Sequence, residues 1–455
     1  MATIARGRRG RAGTRRAAHS HSGDIIAEEF DRSRTLRIAA VVSMLALSSW
    51  LVIAIFEPVL LYKLATRPAT ALDSHDFLRE LSALTNARVN LHSRATALFN
   101  GETFYPAELE AIRAAQRTID LEVYIFHRGT VAKQMIAALA ERARAGVRVN
   151  VTLDAVGSFT TTKWYLHDLV KAGGRVAWYH PLRWNTWYRT NNRTHRDVIV
   201  VDGRVAFVGG AGVADHWLVS KDGEPRWRDS MFRVDGDAVA ALQGTFVENW
   251  LEATGEVLNG EDYFPVMDNG DGGPALVVNS APSVGRSSRA RILFQMLLAA
   301  AQTSADITSP YFLPDPGLRD ELVDTVKRGV KVRILVPGKR SDHAMTRTSS
   351  RGMYGDLLQA GAEIYEYQPA MLHAKAMIID GLWSVIGSTN IDNRSFGLND
   401  EVNLTARDAH FAAALTRQFE QDLSESRRVS YEEWTNRPIW RRPLEWIGWL
   451  VETQQ

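Results

Sequence analysis

The sequence contains two related copies of one segment, and this internal repeat constrains the fold more than any other feature. The string AAQRTIDLEVYIF at 114–126 matches AAQTSADITSPYF at 300–312, an offset of 186 residues (300 − 114). A second match, between AGGRVAWYHP at 172–181 and AGAEIYEYQP at 360–369, has an offset of 188 (360 − 172). Because the offset is nearly constant, we infer a duplicated domain rather than scattered motifs.

Each copy has the pattern of an alternating α/β domain. A helix that ends in Ala-Gln is followed by a β-rich run, a long amphipathic helix and a Val/Ile-rich strand. This alternation is typical of helices that cover both faces of a mostly buried sheet. The repeat therefore predicts two duplicated α/β/α sandwich domains, related by a pseudo-twofold. We expect the first domain at 75–262, a linker at 263–272 and the second domain at 273–430.

The N-terminal region differs from the duplicated domains. Residues 1–37 are predicted to form a basic, disordered segment, since residues 1–23 contain six arginines and no acidic residue. Residues 38–56 then carry no charge, and their number falls within the ~17–25 residues that span a bilayer. We expect one uncleaved transmembrane helix there; a buried helix, a cleaved signal peptide and an organelle transit peptide are the alternatives. The arginines before it favour an inside N-terminus and duplicated domains on the outer side.

Composition narrows the possible partners. The formal net charge is only +2 over 455 residues, so nucleic acid is not the expected partner. The sequence has no cysteine, which excludes disulfides and thiolate metal sites. Tryptophans and arginines alternate in the stretch 179–197 and in the tail 431–455. We interpret the tail as an amphipathic segment that lies at a membrane interface.

Both copies contain a histidine at the start of an apolar run. In the string MLHAKAMIID, His373 and Lys375 are two residues apart. On a strand they share a face, so a proton-transfer group lies beside a positive charge, which suits an anionic substrate. The repeat predicts a second histidine about 180 residues earlier, and THRDVIVVD supplies His195. The separation from His195 to Asp202 equals that from His373 to Asp380. We expect the two histidines to meet across the pseudo-twofold interface.

These motifs make the chain resemble the phospholipase D superfamily, whose signature is His-x-Lys-x4-Asp followed by Gly-Ser/Gly-x-Asn. Bacterial cardiolipin synthases are the most similar type, through strings such as SPYFLPD, ILVPGKRSDH, IYEYQPAMLHAK and GSTNIDNRSFGLNDEVNL. The resemblance covers about residues 80–430. It implies two phospholipase D-like domains that work without a cofactor or a metal ion.

The resemblance also implies a mechanism and a set of site residues. His195 is the implied nucleophile, which forms a phosphohistidine, and His373 is the implied acid and later base. The other implied residues are the phosphate donors Lys375, Ser388 and Asn390, the histidine-orienting carboxylates Glu401 and Asp229, and the signature aspartates Asp202 and Asp380. A turn-closing role for the last two is equally compatible with the sequence.

One position departs from the pattern of the superfamily. Asp197 stands where the first motif has lysine, which places a carboxylate where a cation is expected to hold phosphate. Two unit charges about 4 Å apart interact by ~4 kcal/mol at an effective dielectric near 20. Three interpretations stay open. The site works through Lys375 with help from Arg193 or Arg196; it is slow or inactive, as in a lipid-binding pseudoenzyme; or Asp197 binds a cationic headgroup or orients a hydroxyl.

The function expected from the resemblance is a membrane-anchored phosphatidyltransferase of cardiolipin synthase type. Its expected partners are phospholipids, with phosphatidylglycerol as a substrate and phosphatidylethanolamine as a further candidate, and the membrane itself. The expected location is the bacterial inner membrane, with a single span and the catalytic domains on the outer, periplasmic side. A phospholipase D or nuclease-type phosphodiesterase on the same scaffold is the alternative, and the oligomeric state stays open.

Overall fold

The computed structural model describes residues 34–50, 62–182, 184, 191–218, 225–267, 271–281 and 289–438. The chain divides into two units, Met1–Leu60 and Leu61–Gln455. In the first unit, residues 34–50 form helix α1, which is exposed along its whole length. Among the described residues, none of the helices has both the length and the apolarity needed to cross a membrane. Residues 51–56 of the predicted span and the segment 1–33 lie outside the described residues, so the span stays a prediction.

The second unit contains the duplicated elements. Its helices are α2 (His75–Thr85), α3 (Gly101–Ala114), α4 (Thr130–Arg144), α5 (His167–Lys171), α6 (Ala238–Thr254), α7 (Arg289–Ala300), α8 (Pro316–Lys327), α9 (Ala344–Gly352), α10 (Tyr354–Ala360), α11 (Asn393–Gly397), α12 (Ala409–Ser424) and α13 (Tyr431–Thr435). Its strands are β1 (Val89–Phe99), β2 (Thr118–Val123), β3 (Arg148–Asp154), β4 (Arg175–Tyr179), β5 (Asp197–Val201), β6 (Val205–Gly209), β7 (Ser230–Gly236), β8 (Gly273–Ser280), β9 (Ser304–Thr308), β10 (Lys331–Pro337), β11 (Glu363–Tyr367), β12 (Ala376–Ile379), β13 (Trp383–Gly387), β14 (Glu401–Arg407) and β15 (Ser426–Val429).

The order of the strands shows the duplication directly. In the described part of the chain, fifteen strands form one hydrogen-bonded sheet in the order β15-β11-β10-β9-β12-β13-β14-β8-β1-β7-β6-β5-β2-β3-β4. Outward from the centre, β8-β14-β13-β12-β9-β10-β11 repeats β1-β7-β6-β5-β2-β3-β4. The two copies meet at β1 and β8, which are antiparallel. The predicted duplicated α/β fold is therefore confirmed, and equivalent loops of the two copies can face each other.

The alternating side chains of the strands fill two helix-covered layers. On β5, Ile199 and Val201 pack in a cluster with residues of α3 and α4. Val198 and Val200 point the other way and pack in a cluster with α6 and α12. This second cluster also contains Ile378 and other residues of the second copy. The strand period of two thus builds a sandwich whose one layer is shared by both copies.

The packing bears on two predicted boundaries. Helix α2 was expected to open the first domain, but Phe77 and Leu81 pack in one cluster with Leu293 and other residues of the second copy. The repeated unit therefore starts at β1, and α2 belongs to the core of the second copy. At the start of the predicted interfacial tail 431–455, Trp434 of α13 packs against that same cluster. Residues 439–455 of the tail lie outside the described residues.

Candidate active site

The two histidines enter their strands from loops that hydrogen-bond to the opposite copy. His195 lies just before β5, and its backbone N–H donates to the carbonyl oxygen of Asp400 at 2.9 Å. His373 lies just before β12, and its N–H donates to the carbonyl oxygen of Arg228 at 2.7 Å. Both histidines are buried. Equivalent backbone contacts across the pseudo-twofold therefore fix the two histidines, as the repeat predicts.

Both histidines line one cavity of about 360 Å³. The walls come from the loops that follow β2, β6, β9, β10 and β13, and so from both copies. The other lining residues are Tyr124, Ile125, Asp197, Gly210, Trp217, Trp227, Tyr311, Asp342, His343, Thr346, Asn390, Asp392, Arg394, Ser395 and Asn399.

Each histidine is held by a carboxylate from the other copy. His373 Nδ1 lies 2.8 Å from Oδ2 of Asp229, the residue just before β7. His195 Nδ1 lies 3.2 Å from Glu401 Oε2, at the start of the equivalent strand β14. A carboxylate on Nδ1 fixes the ring orientation and directs the opposite nitrogen, Nε2, away from it. The two predicted carboxylates therefore contact the histidines, each across the interface between the copies.

The charges around the two histidines are not equivalent. Burial lowers the pKa of His195, but the charge and hydrogen bond of Glu401 outweigh burial, so the pKa of His195 is raised. Burial and the positive charge of Lys375 lower the pKa of His373, and the opposing effect of Asp229 does not restore it. These surroundings therefore favour the protonated form of His195 more than that of His373.

The lysine of the second motif lies against its own histidine. Lys375 Nζ is 2.9 Å from His373 Nδ1 and donates to the His373 carbonyl oxygen at 2.8 Å. Burial lowers the pKa of Lys375, against the attraction of Asp229 and other carboxylates. A β-carbon added at Gly210 would lie 2.9 Å from Lys375 Nζ. A glycine at that position in the first copy therefore leaves room for the lysine of the second copy.

The two predicted donors in the GSTN string have different surroundings. The hydroxyl of Ser388 donates to Glu401, and its carbonyl oxygen lies 3.2 Å from His195 Nδ1. Ser388 therefore positions the carboxylate and the histidine, which corrects its predicted role as a phosphate donor. Asn390 does line the cavity, and its Oδ1 is buried without a hydrogen-bond partner among the described residues.

Asp197 faces the cavity, as its spacing from His195 predicts. Its Oδ1 accepts a hydrogen bond from the backbone N–H of Tyr124 at 3.1 Å. Burial raises the pKa of the Asp197 carboxyl to about 7, although His195 and Lys375 lower it. Near neutral pH this group therefore exists in both forms, as a carboxylate that repels phosphate and as a carboxylic acid that can donate a hydrogen bond.

Two arginines predicted to bind phosphate do not line the cavity. Arg193 pairs with Asp154 at 3.5 Å and donates to the backbone oxygens of its neighbours. Arg196 donates to the carbonyl oxygen of Thr245 and to Glu248 at 2.8 Å. Arg196 points away from the cavity because it directly follows His195, and successive residues of a strand point to opposite faces of the sheet. Both predicted phosphate contacts are therefore corrected.

The signature aspartates close turns instead of lining the cavity. Asp202 and Asp380 have φ values of 53° and 52°, in the left-handed region that Asp and Asn tolerate better than most other non-glycine residues. The Asp202 carboxylate accepts hydrogen bonds from the backbone N–H groups of residues 116–118. The Asp380 carboxylate accepts the equivalent bonds from residues 302–304. The turn-closing alternative describes them correctly, and their prediction as catalytic residues does not.

Several lining residues were not predicted. Arg394 lies in the quoted string GSTNIDNRSF, but only the loop after β13 brings its guanidinium to the cavity, where it also donates to Asn191. Tyr311 donates to Asp342 Oδ2 at 2.7 Å on another wall. Trp217 and Trp227 form an apolar wall beside His373. Tyr311 and Trp227 lie in loops, and Arg394 and Trp217 lie in helices of five and three residues, which are too short for a periodicity that indicates direction. Within the described ranges, no group of three or more histidine and acidic side chains is arranged to hold a metal ion.

Sequence comparison identifies the family. The chain matches the family described as "Cardiolipin synthase, PLD-like domain" over residues 109–224 and 294–423, one match in each copy. A cardiolipin synthase of Geobacillus sp. (strain WCH70) is 35% identical over 367 residues, which cover 80% of this chain and 72% of that protein. Cardiolipin synthase A of Pseudomonas syringae pv. syringae is 33% identical over 79% of this chain and 75% of that protein.

A structural comparison supports the fold. The crystal structure of a phosphatidylserine synthase from Haemophilus influenzae matches with a TM-score of 0.63, covering 84% of this chain and all of that chain at 13% identity. At this identity the match shows the fold alone. Together with the duplicated sheet and the paired histidines, the family match shows that the chain belongs to the cardiolipin synthase, phospholipase D-like domain family and is a cardiolipin synthase-like enzyme of the phospholipase D superfamily.

Proposed function

We propose that the protein is a membrane-anchored phosphatidyltransferase that moves a phosphatidyl group from one phospholipid to the hydroxyl of phosphatidylglycerol. The observation that carries this proposal is the pair His195 and His373 in one cavity, each fixed at Nδ1 by a carboxylate of the other copy. A phosphodiester exchange needs a nucleophile and a proton donor on opposite sides of phosphorus. Two buried, oriented imidazoles meet that requirement.

The proposed reaction has two displacements. In the first, His195 forms a P–N bond while the bond from phosphorus to the headgroup oxygen breaks, and His373 gives its proton to that oxygen. In the second, His373 takes the proton from the acceptor hydroxyl, whose oxygen attacks phosphorus as the P–N bond breaks. One phosphodiester replaces another, so the exchange needs no nucleotide. The family resemblance is the source of this order of the two histidines.

The charges of the site residues put a condition on that order. The attacking imidazole must be neutral and the donor must be protonated, whereas the pKa of His195 is raised and that of His373 is lowered. A bound phosphodiester carries a negative charge, which favours the protonated form of a nearby imidazole. The same charge also favours the protonated form of His195, so the assigned order requires that substrate binding charges His373 while His195 reacts in its neutral form. The identity of the histidine that carries the covalent intermediate tests this assignment.

Donors for the non-bridging phosphate oxygens are available on one wall. Arg394 and Asn390 line the cavity, and Lys375 lies behind His373. An arginine fork binds phosphate oxygens in a geometry that a point charge does not offer. We propose that Arg394 supplies the positive charge that the first copy lacks because Asp197 replaces the lysine.

The proposed location is the bacterial inner membrane, with residues 38–56 as the anchor and the catalytic domains on the outer side. The support is the uncharged stretch and the arginines that precede it.

A second candidate function is that of a weakened, lipid-binding relative without turnover. It is supported by the Asp197 carboxylate, which lines the cavity.

Lipid analysis distinguishes these possibilities. The full-length protein is produced in a bacterial strain that lacks its own cardiolipin synthases, and extracted lipids are resolved by chromatography. The proposal expects cardiolipin with the wild type and none with His373→Ala, while His410→Ala, which changes an exposed histidine of α12, serves as the matched control. Phosphatidic acid without cardiolipin would indicate a hydrolase, and unchanged lipids would support the inactive relative.

A further inference from the structure

The cavity contains a carboxylate that the proposed reaction does not use. Asp342 lies in the loop between β10 and α9 and lines the cavity. The hydroxyl of Tyr311 donates to its Oδ2 at 2.7 Å, and the Tyr311 ring centroid is 6.4 Å from that of His373. Asp342 therefore lies toward the His373 side of the cavity, held there by a tyrosine.

This carboxylate has no strong cationic partner. In the part of the chain that the structure describes, its nearest basic group is the ring of His343, with Nε2 at 3.7 Å from Oδ2. Its Oδ1 accepts no hydrogen bond from the described residues, and the Asp342 side chain is 21% exposed. A carboxylate in a phosphodiester site repels the substrate unless the substrate brings a hydrogen-bond donor to it. The geometry leaves Oδ1 open for such a donor.

The electrostatic influence of Asp342 reaches the reacting groups. Burial is the largest influence on the pKa of His373 and lowers it, while the charge of Asp342 acts in the opposite direction. Burial likewise lowers the pKa of Lys375, while the charges of several carboxylates, Asp342 among them, raise it. Asp342 and His373 also line the same cavity, with the Tyr311 ring between them, so a headgroup that leaves from the His373 side passes within reach of Asp342.

We propose that Asp342 is a headgroup-binding residue that accepts a hydrogen bond from a donor two carbons from the scissile ester oxygen. The inference rests on the proposed function, because His373 protonates the headgroup oxygen in that reaction. A glycerol headgroup places a hydroxyl at this position, and an ethanolamine headgroup places an ammonium there. The shared chemistry is the donor, and Tyr311 holds the carboxylate in position to receive it.

The test uses the full-length protein in mixed micelles with three donor lipids. These are phosphatidylglycerol, phosphatidylethanolamine and phosphatidyl-1-propanol, which has no donor at that position. Consumption of each donor lipid gives kcat/KM. The wild type is expected to prefer one or both natural headgroups over propanol by about 10- to 100-fold, the worth of one hydrogen bond to a charged group. Asp342→Ala is expected to lose most of this preference, with a much smaller effect on the propanol lipid.

The Asp342→Asn variant distinguishes a glycerol hydroxyl from an ethanolamine ammonium as the hydrogen-bond donor. A hydroxyl can still donate to the amide oxygen, so preference for glycerol is expected to survive largely. An ammonium loses its ion pair, so preference for ethanolamine is expected to fall as far as in Asp342→Ala. The matched control is Asp324→Asn, which changes a 62% exposed carboxylate of α8. Tyr311→Phe leaves Asp342 in place without its hydrogen bond and is expected to reduce the preference in part.

Two results would overturn the inference. One is a wild type that consumes all three donors equally well. The other is a loss in Asp342→Ala that is the same for all three lipids, which would assign Asp342 to phosphate binding or to support of His373. If Asp342→Ala does not fold, the three donor lipids are compared in Asp342→Asn and Tyr311→Phe instead. Phosphatidic acid in place of cardiolipin would refute the proposed transfer while leaving the headgroup preference measurable.

Discussion

His373 Nδ1 lies 2.8 Å from Asp229 Oδ2, although the two residues are 144 positions apart and belong to different copies of the repeat. The equivalent contact joins His195 to Glu401. Neither copy therefore contains a complete histidine–carboxylate pair. The candidate site is therefore complete only in the duplicated chain, and we expect an isolated half to lack activity.

The first prediction tests this crossed pair. Asp229→Asn keeps the shape of the side chain but removes the charge that orients His373 and stabilises its protonated form. We expect turnover to fall by about 10²- to 10⁴-fold, the range of general acid–base contributions. The measurement is the initial rate of cardiolipin formation by the purified protein.

The control for this change is Asp235→Asn, which alters a half-buried carboxylate of the same strand that pairs with Arg233. We expect it to retain near wild-type activity. Equal losses in the two variants would mean that Asp229 acts on the strand and not on His373.

The second prediction concerns the charge of Asp197. Its carboxylate faces the cavity and repels phosphate when ionised, so removing the charge in Asp197→Asn should raise kcat/KM. Asp197→Lys should raise it further, because it adds a donor. We expect the order Lys above Asn above wild type. Loss of activity in both variants would instead show that Asp197 binds a substrate group.

The third prediction is a pH dependence of stability from the same residue. Burial raises the pKa of Asp197 to about 7 in the folded chain, whereas an unfolded Asp titrates near 3.9. Between these values the folded state binds more protons than the unfolded state, so this group makes stability fall as pH rises. Asp197→Asn lacks the effect. The variant should therefore be more stable relative to wild type at pH 8 than at pH 5, with a larger free energy of unfolding in denaturant titrations, and a difference independent of pH would contradict the assignment.

The fourth prediction concerns Arg394, which the sequence did not single out. Arg394→Ala should raise KM for the phospholipid donor about tenfold or more, since an arginine fork to phosphate is a charged, bidentate contact. Arg394→Lys keeps the charge and should recover part of the loss. Arg417→Ala, on the exposed face of α12, is the control. Wild-type kinetics in Arg394→Ala would assign phosphate binding to other groups.

The fifth prediction concerns the N-terminal region. A variant without residues 1–60 keeps the whole second unit. Most of this variant should be found outside the membrane fraction, and salt should weaken the attachment of the rest. Fractionation of cells that produce the full-length and shortened chains measures this. A full-length protein found entirely in the soluble fraction would refute the anchor.

The repeat was sufficient to predict most of the fold and the location of both histidines. A constant offset implies equal topology, and equal topology places His195 and His373 at equivalent loops. The offset does not predict which carboxylate contacts which histidine, because those contacts depend on how the two copies pack against each other. The strand period correctly placed Asp197 on the cavity side, and the same rule should have excluded Arg196, its immediate neighbour.

Loop residues were beyond such rules. Tyr311 and Asp342 reach the cavity from loops, and Arg394 reaches it from the five-residue helix α11, so no regular period predicts their directions, which depend on tertiary contacts. The signature aspartates illustrate the opposite problem. Asp202 and Asp380 recur in both copies because each closes a turn with a positive φ, and recurrence in a repeat reflects structure as readily as chemistry.

The central claim is a covalent phosphatidyl-histidine intermediate in the shared cavity. The most direct measurement is mass spectrometry of peptides from the full-length protein, quenched in alkaline denaturant during turnover of phosphatidylglycerol in the presence of a chelator. The account predicts a phosphatidyl adduct on His195 that is absent in His195→Ala. An adduct on His373 alone would reverse the roles of the two histidines. Turnover that stops with the chelator, resumes with a divalent metal ion and never yields an adduct would contradict the account.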